Sequence, residues 1–268
     1  MLAAVKRGVG YLNHWRSSRA ERRLFPRYPL TRGTGNALTA CLDAFEAGGG
    51  RRFLDSAEKL IRGALHPDDD IAARNLLHAE IAWSYTVLLV AVVKFLDKKR
   101  ELGEIDDGFA YARKSLLAYA EWMRVNEYPY LEKPEILEYP NETWAAQDLR
   151  KSVIFFHAAR YGSPGRREAF LGKGRFFFDR SCTELQMHET SRFARPLALM
   201  LQNGWVGGRL SGESPIPEEA ISAEPIITGR PTPYLTLPSV LNRIVSEIWQ
   251  AAKQTSVRRE LAWLRARL

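Results

Sequence analysis

Residues 69–98 read DDIAARNLLHAEIAWSYTVLLVAVVKFLDK, and this stretch decides the fold class. It starts on acids and ends on a lysine, the polarity a helix macrodipole favours. Its middle, residues 86–93, is apolar on every side, as in a helix surrounded by protein. The sequence therefore predicts one long helix from about Asp69 to Lys98. The most apolar run, residues 81–96, carries Ser84, Tyr85, Thr86 and Lys94. It is shorter than the roughly 20 residues needed to span a bilayer. A buried core helix is expected, and no membrane span.

Helical periodicity continues on both sides. A helix is predicted over 36–47, ended by Gly48-Gly49-Gly50. Phe53, Ala57, Leu60, Ile61 and Ala64 recur at helical spacing and stop at His66-Pro67. Residues 106–126 repeat the pattern through Phe109, Leu116, Tyr119 and Met123. Prolines at 129, 134 and 140 predict extended chain over 128–140. Asn141 suits an N-cap for a helix over 142–161. Helices over 166–185 and 192–202 complete the series. The fold class expected is all-α, an antiparallel helical-hairpin array.

Four segments follow from this pass. Residues 1–32 form a basic leader and residues 33–204 the helical domain. Residues 205–238, rich in Gly, Pro, Ser and Thr, make an irregular loop or small β excursion. Residues 239–268 form a C-terminal amphipathic helix, with Leu241, Ile244, Val245, Ile248, Trp249 and Ala252 at spacings of three and four.

With 268 residues, 46% of them hydrophobic and 26% charged, the chain buries a core without disulfides or metal. Cys41 and Cys182 make no disulfide framework, which places the protein in the cytoplasm. The net charge of +8 gathers at the two ends. Basic runs without interleaved aromatics speak against nucleic acid as a partner. No Walker loop, dinucleotide fingerprint or nucleophile elbow occurs. The histidines lack metal-ligand spacing. No cofactor and no metal are expected. For Asp68-Asp69-Asp70, capping with an Asp70–Arg74 pair is preferred over cation binding.

Several segments carry a family resemblance: residues 66–71 (HPDDDI), 83–86 (WSYT), 133–140 (KPEILEYP), 141–151 (NETWAAQDLRK) and 195–197 (RPL). The region 66–204 resembles the six-hairpin, (α/α)-toroid carbohydrate-active proteins, especially an uncharacterised bacterial group of that type. About eight helices rather than twelve make this a partial toroid. The resemblance implies a role on bacterial polysaccharide, as a glycoside hydrolase, a lyase or an epimerase-like protein. A non-catalytic helical scaffold for glycan or a protein partner is the alternative.

The richest polar and aromatic segment, 135–151, feeds a helix N-terminus. Sugars need flat rings for stacking and polar forks for hydroxyls. Tyr139, Asn141, Trp144, Gln147, Asp148 and Arg150 supply these, with Trp83, Tyr85 and Arg195 joining them as substrate-binding candidates. Arg195 suits a uronate carboxylate or a structural ion pair. Glu142, in a first helical turn, suits a general base or nucleophile, or simply a capping carboxylate. Asp148 lies about 120° around the helix from it, so a second acid must come from elsewhere. The candidates are Asp68–Asp70, with Asp69 among them, Glu80 and Glu135, and His66 is a proton-transfer candidate.

Overall fold

A computed structural model of the chain describes residues 27–188, 194–210, 216–227 and 231, with scattered positions between 238 and 265. The chain divides into two compact units, Leu30–Pro231 and the paired ends Met1–Pro29 with Thr232–Leu268.

The larger unit is all-α. Its helices are α1 (Arg32–Ala44), α2 (Arg51–Ala64), α3 (Ala79–Ala82), α4 (Tyr85–Glu101), α5 (Asp107–Asn126), α6 (Glu142–Tyr161), α7 (Pro164–Met187) and α8 (Ala194–Leu210). Short 3-10 turns lie at Ala72–Arg74, Tyr130–Glu132, Pro134–Ile136 and Glu218–Ile221. No described residue lies in a strand. Among the described residues no helix is long and apolar enough to cross a membrane.

The apolar run becomes the centre of the unit. Leu88, Leu89, Ala91, Val92, Phe95 and Leu96 of α4 are buried on all sides. Helix α4 packs on α1, α5 and α6. Helix α6 in turn carries α7 and α8, and α2 lies on α5 and α1. Each fully buried Leu or Phe contributes about 1.5–3 kcal/mol of transfer free energy. The contact of α1 with α4 depends on Gly35, where an added Cβ would sit 2.8 Å from the Leu88 amide nitrogen. Helices α6 and α7 are joined only by Gly162 and Ser163, so they fold back on one another.

Capping sets the boundaries. Asn141 accepts from the Thr143 N–H at 2.9 Å and starts α6. Asp106 does the same for α5 through Phe109 at 3.1 Å. The same Asp106 carboxylate, with Glu104, pairs the buried Lys99 at 2.5 and 2.7 Å, tying the end of α4 to the start of α5. Burial would raise the Asp106 carboxyl, but the Lys99 and Phe109 hydrogen bonds prevail and hold it below its usual value. Gly48 and Gly50, at φ 86° and 85°, let the chain leave α1 through a wide turn, Phe45–Gly49, and enter α2.

Several boundaries differ from the sequence reading. The long helix expected over 69–98 is broken. Asn75 stands at φ 51°, a left-handed conformation that Asn tolerates better than most residues. It ends the first turn, and Trp83 and Ser84 separate the short α3 from α4. The expected extended segment 128–140 holds two 3-10 turns, because Pro134 fits the first position of such a turn. Helix α1 begins at Arg32, four residues early, and α7 begins at Pro164, where the missing N–H costs nothing. Helix α8 runs to Leu210, past the loop boundary placed at 205: Asn203, Val206, Gly207 and Leu210 are buried, so packing outweighs three glycines. Within the segment expected to be a loop or small β excursion, Ile226 and Ile227 are not strand, and 234–237 lie outside the described residues. The leader over 1–26 also lies outside them.

In the smaller unit, the described residues Leu241, Asn242, Ile244, Val245, Ser246, Ile248 and Trp249 are helical.

Candidate functional site

The sequence candidates fall in three places. The first is a buried ionic cluster behind α6. Lys151 has no exposed side-chain surface. Its Nζ lies 2.7 Å from Glu127 Oε2 and 2.9 Å from Asp148 Oδ1, and it donates to the Tyr128 carbonyl at 2.5 Å. The ammonium thus stands at ion-pair distance from two carboxylates and donates to one carbonyl. Nζ also stands 3.4 Å from the Tyr130 ring centroid, a cation–π contact. Tyr85 donates its hydroxyl to Glu127, and the Tyr130 N–H donates to Asp148 Oδ2 at 2.9 Å. Burial pushes the Asp148 carboxyl up to about 6, against the opposing pull of Lys151. Asp148 and Tyr85, expected to touch substrate, therefore face the interior. Helix register alone does not say which side of α6 is covered.

The second place is the loop after α2. Asp69 accepts from the His66 N–H at 2.9 Å and the Tyr119 hydroxyl at 2.8 Å, and Arg74 approaches it at 3.7 Å. His66 Nδ1 accepts from the Asp68 N–H at 3.1 Å. Arg74 thus pairs with Asp69 rather than with Asp70, which instead accepts from the Ala73 N–H at 3.2 Å as a turn cap. Glu142 opens α6 and is buried. No described hydrogen bond or ion pair joins it to Asp69 or His66.

The third place gathers aromatic rings and guanidiniums. Trp83 sits in the joint between α3 and α4. Two guanidiniums flank its ring, Arg32 at 6.0 Å and Arg150 at 5.9 Å from the centroid. Trp144 packs edge-on against Trp83 with centroids 6.5 Å apart, and Tyr130 against Trp144 at 5.5 Å. Arg150 donates to Gln147 Oε1. Burial lowers the Arg150 guanidinium to about 10, partly countered by Tyr130 and reinforced by the neighbouring charges of Arg195 and Arg32. Among the described residues, none of these three arginines has an ion-pair partner. The Tyr130 hydroxyl is fully buried and makes no hydrogen bond. Arg32 and Arg195 are exposed to solvent, so the charge an anion would complete is that of the half-buried Arg150, beside the unbonded Tyr130 hydroxyl.

Elsewhere the pattern is different. A hollow of about 350 Å³ beside α5 and α7 also contains arginines. There Arg113 donates to the Tyr161 and Ile221 carbonyls, and Arg166 lies 3.6 Å from Glu121. Those cations serve the fold.

Tyr139 is 71% exposed, and its carbonyl accepts from the Trp144 indole N–H at 3.1 Å. It orients Trp144 through backbone, and Asn141 serves as a cap. Arg32 and Tyr130 were missed by the sequence reading. Arg32 was assigned to the leader, and Tyr130 to an extended segment. A tyrosine after Pro129 carries no periodic signal, and nothing local links residue 32 to residue 83. No family model, curated protein or solved structure matches this chain.

Proposed function

We propose that this protein binds an acidic oligo- or polysaccharide at the Trp83–Trp144–Arg150 site. The observation that carries the reading is the meeting of Arg32 and Arg150 at the Trp83 ring, with the charge of Arg195 acting on Arg150 and no acidic partner among the described residues. A guanidinium fork suits the carboxylate of a uronate, and indole faces suit the sugar ring. Gln147 is placed to hold the Arg150 fork. This reading keeps the carbohydrate role implied by the toroid resemblance and makes it a binding role.

Titration calorimetry with galacturonate oligomers and with neutral malto-oligomers tests it. Binding of the acidic series alone, lost at least tenfold in Arg150→Gln and in Trp83→Ala, is the expected result. Equal affinity for neutral oligomers, or no effect of Arg150→Gln, would overturn it.

A second reading, a scaffold for a protein partner, draws on α8. Leu197, Met200, Leu201 and Trp205 form an exposed apolar stripe there. Light scattering on the intact protein and on Leu201→Glu tests the self-association form of that reading, which predicts a dimer that the substitution dissociates.

A further inference from the structure

The chain's formal charge of +8 conceals a division. Met1–Pro29 and Thr232–Leu268 together hold 13 Lys and Arg against 3 Asp and Glu, a net of +10. That leaves −2 for Leu30–Pro231. The whole excess belongs to the smaller unit, and the carbohydrate site lies in the other.

The smaller unit also displays apolar surface. Leu241, Ile244, Val245, Ile248 and Trp249 are helical and exposed, from 37% at Ile244 to 66% at Val245. At 100° per residue these five fall within an arc of about 140°. Ser246 falls outside this arc, about 60° beyond Trp249. Leu261, further along, is also exposed. A face of this width, made of branched aliphatics and one tryptophan, is too broad to be incidental surface.

We infer that the C-terminal helix lies in the interface of a bilayer rich in anionic lipid, with Leu241, Ile244, Val245, Ile248 and Trp249 inserted at the headgroup–acyl boundary. Two independent features select this occupant. The apolar face supplies the hydrophobic term, and the net +10 supplies attraction to negative headgroups. A nucleic acid would use the charge but leave the aliphatic side chains wet, since phosphate contacts need no apolar face. A neutral protein groove would use the aliphatic face but not the charge. Trp249 suits the depth, because an indole settles where one end is apolar and the other wet. The helix rests on the bilayer and does not cross it.

The test is co-sedimentation of the full-length protein with phosphatidylglycerol–phosphatidylcholine vesicles and with pure phosphatidylcholine vesicles. Binding to the anionic vesicles, at least tenfold weaker on the neutral ones and weakened by added salt, is expected. Val245→Asp with Ile248→Asp lowers partitioning to anionic vesicles at least tenfold. Both positions are exposed, and an unchanged far-UV circular dichroism spectrum verifies the fold. Trp249→Phe lowers the quenching of tryptophan emission by lipids brominated at shallow depth. Three results would overturn the proposal: equal binding to neutral vesicles, anionic binding that survives the double substitution, or duplex DNA binding that is equally salt-sensitive and indifferent to the aspartates. In the last case the charge alone is at work.

Discussion

Lys151→Met isolates the charge of the buried cluster. Methionine matches the lysine stem in length, so packing is nearly conserved while the cation is lost. Two carboxylates, Glu127 and Asp148, then remain with side-chain exposures of 1% and 4%. Their residual cover is the Tyr85 hydroxyl and the Tyr128 N–H on Glu127 and the Tyr130 N–H on Asp148. Breaking a buried ionic group from one side costs about 3–5 kcal/mol, because an uncompensated charge stays behind. Protonation relieves the cost. Asp148 stands near 6 with Lys151 beside it, and without the cation it rises further. A carboxyl raised in the fold contributes stability that is fully present below its unfolded value, 3.8, and is lost as pH rises through its folded value. The wild type loses this contribution between about pH 4 and pH 6. In the variant the window extends upward, so its deficit shrinks on acidification. Urea unfolding at about pH 7.5 is expected to show a loss of about 3–5 kcal/mol, with a clearly smaller loss at about pH 5. The triple variant Glu127→Gln, Asp148→Asn, Lys151→Met recovers most of the deficit, since a neutral cluster leaves no stranded charge. A loss under about 1 kcal/mol at the higher pH would refute the reasoning. So would a deficit independent of pH, or a triple variant no more stable than the single one.

Three further outcomes follow from the same geometry. Gly35→Ala forces a Cβ against the Leu88 backbone and should lower stability by about 1–3 kcal/mol, measured by calorimetric melting. Asp106→Ala removes the α5 cap and one of the two acceptors of Lys99, costing about 1–2 kcal/mol in urea unfolding. Because the Asp106 carboxyl is held below its usual value, that contribution is present above 3.8 and disappears as pH falls below it, so the deficit should fade in acid. Arg150→Met removes a largely buried cation with no acidic partner among the described residues. Its melting temperature should be unchanged or higher even as acidic-saccharide binding is lost, and a large fall in stability would show that Arg150 serves the fold instead.

Much of the architecture was legible locally. Helix α6 over 142–161 and the body of α5 emerge from their periodicity, because Asn141 and Asp106 each write a boundary into the sequence. The break at Asn75 was not legible, since residues 69–98 keep helical composition throughout and only the surrounding packing selects a left-handed Asn. The same limit applied to the site. Trp83, Trp144, Gln147, Arg150 and Arg195 were visible as residue types suited to a sugar. Asp148 and Tyr85 looked equally suited, yet they lie in the buried cluster with Lys151.

The sequence by itself determined the all-α class and the helix starts that carry their own caps, because hydrogen bonding and amphipathicity act within a few residues. It also determined that the positive charge belongs to the ends. Only the tertiary structure decided which polar groups of α6 look inward and which meet Arg32 and Trp83. Those partners are brought together from α1, the α3–α4 joint and a 3-10 turn at Tyr130. No local spacing encodes that meeting. It follows from which faces of α4 and α6 are covered, and burial then turns one charge into a structural ion and another into a candidate anion ligand.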